Sequence, residues 1–459
     1  MKKYNLINFY FLCIFFLLAF ILNYNNYVGN KILFFVFNLF SLGFFLTLLR
    51  KTISAFEFFL GFFFLLSFWF KFSCILYFES VNVTEGDFSL LISNYDHSII
   101  IIIFTFLAFI IGIFLREKIF DIAFKENNPK MNNDFIILYK KFRYVILFTI
   151  ISILILFWST NFYFKIYSKG IINTNLPILI RYFYSWIFVY GLSVLVSIII
   201  FLDYSIYKNK VLFFLGFFET FFTNLTILSR SFVLFFLAYS RGFLSIIKNK
   251  KNFIFNNFFL KIFFSIIIIF FSIKFVSDSR NIFFYDNKDQ KNITIQETFS
   301  EIVSLAINRW VGIDALLSVS QNKKNSFELI KSALKEKKEI SNKSFYIQNF
   351  FKKFEYNKLN NEKLNVVITP GIVAFLYYSG SIIFVFFSII AIIILFSLIE
   401  KIFFLLSGNN FILSNIIGFS LANRIAHFGY VPFNTLYFIL SFIITLLLVF
   451  FLNKIIWSK

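Results

Sequence analysis

Apolar runs of about 18 residues or more recur along most of this chain, and a run of that length spans a bilayer as a helix. Inside lipid, a backbone that must satisfy its own hydrogen bonds forms either helices or closed barrels. The runs here are continuous rather than alternating, so helices are expected. The 459 residues are 59% hydrophobic and 15% charged, far more apolar surface than a soluble core hides. The chain reads as an all-α integral membrane protein lying in a lipid bilayer. Its 79 phenylalanines, beside abundant Ile, Asn and Lys, read as drift towards AT-rich codons and carry no functional argument.

About 12 transmembrane helices are expected, near 6–22, 31–49, 56–78, 98–115, 143–160, 178–202, 211–228, 231–247, 258–277, 372–399, 402–427 and 433–452. The pair at 211–247 reads equally as one hairpin, and Ser407-Gly408-Asn409-Asn410 interrupts 402–427. The first run follows Lys2 and Lys3 but lacks a small-x-small cleavage site, so it is expected to remain as an uncleaved helix. Three parts result. Residues 1–277 form an N-terminal bundle of about nine helices, 278–365 an extracytoplasmic (periplasmic) helical loop, and 366–459 a C-terminal group of about three helices.

A net charge of +21 could mark a nucleic-acid binder, but here the cations sit in short segments between spans. With the N-terminus inside, twenty cations fall in inner segments and five in short outer ones, which places both termini in the cytoplasm. Nucleic acid is therefore not expected as a partner. Cys13 and Cys74 offer neither disulfide framework nor metal spacing, and with two histidines a structural zinc site is excluded.

The outer segment 278–365 is polar, charged and free of proline. Within it, Phe299, Ile302, Ala306, Trp310, Ile313 and Leu317 recur at helical spacing, and Thr294 with Glu297 makes a capping box. The resulting amphipathic helix would lie on the membrane surface or against the bundle. No internal repeat is visible, which disfavours the common transporter folds.

Hydrolase, metalloprotease and nucleotide-binding signatures are missing, and 15 glycines leave little room for a phosphate-cradling loop. An anion would have to be held by side chains. Only nine arginines occur, and five fall on the outer side: Arg181, Arg230, Arg280, Arg309 and Arg424. Guanidinium binds diphosphate in a fork that lysine cannot copy. Each is either such a ligand or an interfacial anchor.

Arg424 and His427 stand three apart and share a helix face, with Ser420 one turn earlier and Gly429 and Pro432 ending the helix. Arginine near a membrane helix end implies an anion or a watery cavity. His427 is either a general base or a polar residue closing the turn. His97 begins the fourth span, with Asp96 as its cap. Glu219, within the apolar "GFFETFF", is a proton or ion relay or the partner of a buried arginine.

At "SRNIFFYDNKDQ", "NRWVGIDALLSV" and "TPGIVAFLYYSGS" the chain resembles the oligosaccharide repeat-unit polymerases, the O-antigen polymerase family. The local likeness covers about 278–320 and 366–381, and the topology most of the chain. The resemblance implies a metal-independent glycosyltransferase of the bacterial inner membrane that needs no cofactor. Its substrate would be undecaprenyl-diphosphate-linked oligosaccharide, and a flippase and chain-length regulator would work beside it. It further implies diphosphate or glycan binding by Arg181, Arg230, Arg280 and Arg309, and catalytic roles for Arg424 and for His427 as base. The family's arginine followed after ten residues by glycine is not reproduced: Ser320 stands eleven positions after Arg309, and Lys291 after Arg280.

In "TPGIVAFLYYSGS", Thr369 would cap and Pro370 start a helix, with Gly380 bending it after nine residues. That N-terminus is either a diphosphate site or the plain start of a long tilted span. Polyprenyl-phosphate-sugar transferases place an acid in the first outer loop, which here is "NYNNYVGN". A flippase or other transporter would show two related halves. A non-catalytic component of envelope polysaccharide assembly stays open.

Overall fold

The computed structural model describes residues 14–50, 52–77, 93–120, 131–168, 176–229, 231–247, 310–337, 344–350 and 369–457, with positions 122, 124, 275–276 and 307 between them. Among these residues no strand forms, apart from an isolated bridge between Met131 and Trp457. Among the described residues, seven helices are long and apolar enough to cross a membrane: Lys31–Leu48 (α2), Ala55–Tyr77 (α3), Tyr95–Lys118 within α4 (Ser93–Lys118), Asn133–Phe164 (α5), Leu179–Tyr207 (α6), Ile382–Leu406 (α13) and Tyr437–Ile456 within α15 (Asn434–Ile456). Shorter helices are Ile14–Tyr24 (α1), Phe213–Thr226 (α7), Phe232–Ile247 (α8) and Phe411–Ala426 (α14). Together they support a multi-pass membrane protein that is all-α among the described residues. Of the expected 258–277 span, only residues 275–276 are described.

Side chains divide as lipid demands. The long α5 exposes Tyr144, Phe148 and Tyr163 at 73% or more. By contrast, α14 is buried from Ile412 to Ala422 and again at Ile425 and Ala426. At 16 residues it is about 24 Å long, shorter than a bilayer's hydrocarbon core. It is held inside the bundle, against α3, α8 and α13. Gly418 permits the approach to α3: a Cβ there would lie 2.6 Å from the Phe56 backbone nitrogen.

One end of the bundle is fastened by a buried ionic network. Ser54 and Glu57 form a capping box at the start of α3. Arg116 grips the Glu57 carboxylate through Nε at 2.8 Å and Nη2 at 2.7 Å. Glu400 of α13 accepts the Ala55 and Phe56 backbone N–H groups at 3.0 and 2.7 Å and the Ser414 hydroxyl at 2.7 Å. Arg241 of α8 donates to Asn415 Oδ1 and to the Ile53 carbonyl. Arg50 pairs with Glu117 at the same end. These cations belong to segments that the charge pattern assigns to the inner side.

In the outer segment three short helices are described: Ile313–Ser320 (α9), Phe327–Leu334 (α10) and Phe345–Phe350 (α11). The continuous helical period expected through Phe299–Leu317 breaks at 310–312, which is not helical. Thr294 and Glu297 lie outside the described residues. Nor does α9 rest on a surface. Ile313 through Val319 are all buried, against α4 and the short helix Ile372–Leu376 (α12).

The "TPGIVAFLYYSGS" stretch also departs from expectation. Gly371, not Thr369, occupies the N-cap position of α12, with no side-chain cap bond. Five residues are too few to present an N-terminal anion site. A 3-10 turn at Tyr377–Ser379 follows, and Gly380, at φ +72, makes the expected bend before α13. The Ser407–Asn410 interruption is likewise a turn, from which Asn410 caps α14.

Candidate functional site

Opposite the ionic network, three stretches converge around the end of α14: Trp310–Asp314, Pro370–Gly371 and Arg424–Pro432. Gly371, at φ +78, lies where a Cβ would meet the Ala426 carbonyl at 3.0 Å and Val311 Cγ1 at 3.1 Å. Gly429, at φ +114, packs against Pro370, whose Cγ would stand 2.5 Å from an added Cβ. Both positions need the left-handed backbone that glycine adopts without strain. Val431 has no such excuse at φ +42. Its N–H is held by Glu336 Oε2 at 2.8 Å, while Oε1 of the same carboxylate accepts the Phe345 N–H at 2.7 Å. The outer segment thereby fixes the loop that follows α14.

His427 closes α14 at this convergence, half-buried. Its Nδ1 lies 2.9 Å from the Asn423 carbonyl oxygen. A carbonyl can only accept, so Nδ1 carries the hydrogen. The ring meets Phe63 of α3 edge-on at 6.2 Å, and Phe63 is also 6.2 Å from Trp310. His427 thus closes the helix turn through its ring.

Arg424, one turn earlier, donates from Nη2 to Thr435 Oγ1 at 3.1 Å and sits 5.6 Å over the Phe438 ring. Its charge also acts on Tyr167, whose hydroxyl bonds Ser185 of α6. Arg181 lies four residues before Ser185, on the same face of α6. For both arginines Nε is buried with no hydrogen-bond partner among the described residues. A buried guanidinium Nε with an unmet donor is a group that an acceptor would satisfy. Arg230, Arg280 and Arg309 lie outside the described residues.

A second pair, not anticipated from the sequence, underlies the Trp310–Asp314 stretch. Lys71 of α3 pairs with Asp314 Oδ2 at 2.6 Å and donates to the Trp310 carbonyl at 3.2 Å. Both side chains are about 95% buried. A π-helical stretch, Leu65–Phe70, precedes Lys71 and shifts the face that it occupies. Burial raises the Asp314 carboxyl, and the Lys71 charge opposes that rise. The available signal was a lysine inside an apolar span, which always needs a partner.

His97 sits one turn inside α4, which begins at Ser93. Asp96 is thus a first-turn residue and not a cap. Its carboxylate instead accepts the Asn30 N–H at 3.0 and 3.1 Å and the Tyr27 hydroxyl. His97 Nε2 lies 2.6 Å from the Tyr377 hydroxyl, tying α4 to the turn after α12. Burial pushes the Tyr377 hydroxyl up, and the tautomer of the ring decides which of the two groups donates. Glu219 meets hydroxyl groups rather than an arginine.

No group of three His, Cys, Asp or Glu side chains is gathered as metal ligands among the described residues. The fold and this site define a multi-pass helical membrane protein with an outer segment locked into its core. No family model, curated protein or solved structure matches the chain.

Proposed function

We propose that the protein polymerises undecaprenyl-diphosphate-linked oligosaccharide repeat units into surface polysaccharide at the outer face of the bacterial inner membrane, with both termini cytoplasmic. The observation that carries this reading is the meeting of Trp310–Asp314, Pro370–Gly371 and Arg424–His427 at one helix end. Two of those stretches also carry the family resemblance.

In this reaction, His427 Nε2 takes the proton of an acceptor sugar hydroxyl on one lipid-linked unit. The hydroxyl oxygen attacks the anomeric carbon that joins the growing glycan to its own carrier. The new glycosidic bond forms as the bond to diphosphate breaks, and undecaprenyl diphosphate leaves with its electron pair. Arg424 and Arg181 meet the charge that develops on the departing diphosphate. The imidazolium proton then passes to solvent. Arg230, Arg280 and Arg309 belong to the same proposed diphosphate and glycan surface.

The test is genetic. Deleting the gene should collapse the surface-glycan ladder to a single repeat unit on a gel, and wild type should restore it. His427→Ala and Arg424→Ala should fail to restore it while reaching the membrane in normal amount. An unchanged ladder after deletion would remove this reading, leaving transport or non-catalytic assembly. Rescue by both variants would leave the polymerase and remove the two residues from its chemistry.

A further inference from the structure

Glu219 lies on α7 with 1% of its surface exposed, and three side chains bond its carboxyl. Ser193 Oγ donates to Oε1 at 3.0 Å, and Thr223 Oγ1 donates to the same oxygen at 3.2 Å. Trp158 Nε1 in turn donates to Thr223 Oγ1 at 3.0 Å. On the other side, the Tyr239 hydroxyl stands 3.0 Å from Oε2 and 3.0 Å from the Ser193 carbonyl oxygen.

That last pair of distances requires a count of hydrogens. The Tyr239 hydroxyl has one hydrogen, and the Ser193 carbonyl can only accept it. With the hydrogen given to that carbonyl, the 3.0 Å contact with Oε2 is a bond only if Glu219 supplies a hydrogen of its own. With an ionised Glu219, one of the two contacts would press lone pair on lone pair in a dry interior, an expensive arrangement. A protonated Oε2 satisfies every atom in the cluster.

Counter-charge leads to the same assignment. Glu57 has Arg116, Asp203 has Arg143, and Asp314 has Lys71, each within ion-pair distance. Glu400 accepts two backbone N–H groups at a helix start and feels the charge of Arg241. Among the described residues, Glu219 has only hydroxyl partners. The helices packed against α7 turn Trp158 of α5, Ser193 of α6 and Tyr239 of α8 towards it. Of the charged residues on these helices, Arg143 and Asp203 bond each other and Arg241 bonds Asn415 and the Ile53 carbonyl.

We infer that Glu219 is held as a neutral carboxylic acid, a proton-binding site within the helix bundle. The site is independent of the polymerase reading. Separating α7 from α6 and α8 would admit water and release the proton.

The experiment is infrared spectroscopy of the full chain in lipid vesicles near neutral pH. Subtracting the Glu219→Gln spectrum from wild type should leave the C=O band of a protonated carboxyl group. Glutamine preserves the pattern, since its amide oxygen accepts from Ser193 and Thr223 while its NH2 donates to Tyr239. A difference confined to ionised-carboxylate bands would overturn the inference. Tyr239→Phe provides a second reading should the glutamine variant fail to fold. Losing the acceptor should shift the protonated-carboxyl band, whereas a spectrum in which that band is unmoved or absent counts against the assignment.

Discussion

His427 closes α14, and that bond leaves its ring compatible with the proposed role as base. The Asn423 carbonyl takes the Nδ1 hydrogen, so the turn is closed and the tautomer fixed by one bond. Arg424 depends on geometry as well as charge. Arg424→Lys keeps the charge but loses the planar fork, and polymer formation should fall by about tenfold or more, the worth of one charge-assisted bond of ~1.5 kcal/mol. The rate of polymer formation in membranes bearing equal amounts of each protein measures it. The Arg116–Glu57 pair makes a separate, stability-level prediction. Removing either partner strands a buried charge, at a cost of about 3–5 kcal/mol, while Arg116→Met with Glu57→Leu should recover much of that loss. Thermal unfolding in detergent reports it: both single variants should melt well below the double variant. Arg424 and His427 stand out in the sequence because arginine and histidine are scarce in it, and the structure places them together at the end of α14. Lys71–Asp314 was not, because its partners stand 243 residues apart.

At the scale of elements, the sequence was most informative where it punctuated. The Ser407–Asn410 turn and the Gly380 bend both fall where Gly, Ser and Asn cluster between apolar runs. It was least informative about α9 and α14. A helical period cannot distinguish a helix on a membrane surface from one buried on every side, and α9 is the latter. Nor does the apolar composition of α14 reveal that it sits inside the bundle rather than against lipid. Gly418 is what that position requires, and Gly418→Ala would push a methyl group into the start of α3. The expected cost is about 1–3 kcal/mol through overpacking, read as a lower melting temperature in detergent. An unchanged melting temperature would mean that α14 and α3 separate freely.

For the molecule as a whole, two ends do different work. One is knotted by ion pairs and helix caps. The other gathers chain from α3, α9, α12, α14 and the outer segment around His427. Ser98 of α4 and Ser320 of α9 mark the lock between bundle and outer segment, with hydroxyl oxygens 2.8 Å apart. In a background with Cys13 and Cys74 replaced, Ser98→Cys with Ser320→Cys should form a disulfide spontaneously. Loss of maleimide labelling, restored by reductant, measures it. Full labelling under oxidising conditions would mean that the outer segment does not pack as described. Glycan transfer at the convergence on His427, as proposed above, is tested most directly with purified protein in vesicles. Given undecaprenyl-diphosphate-linked repeat units and no added metal or nucleotide, wild type should release undecaprenyl diphosphate as polymer lengthens. His427→Ala, equally folded, should release none. Polymer formation by that variant at the wild-type rate would contradict the account.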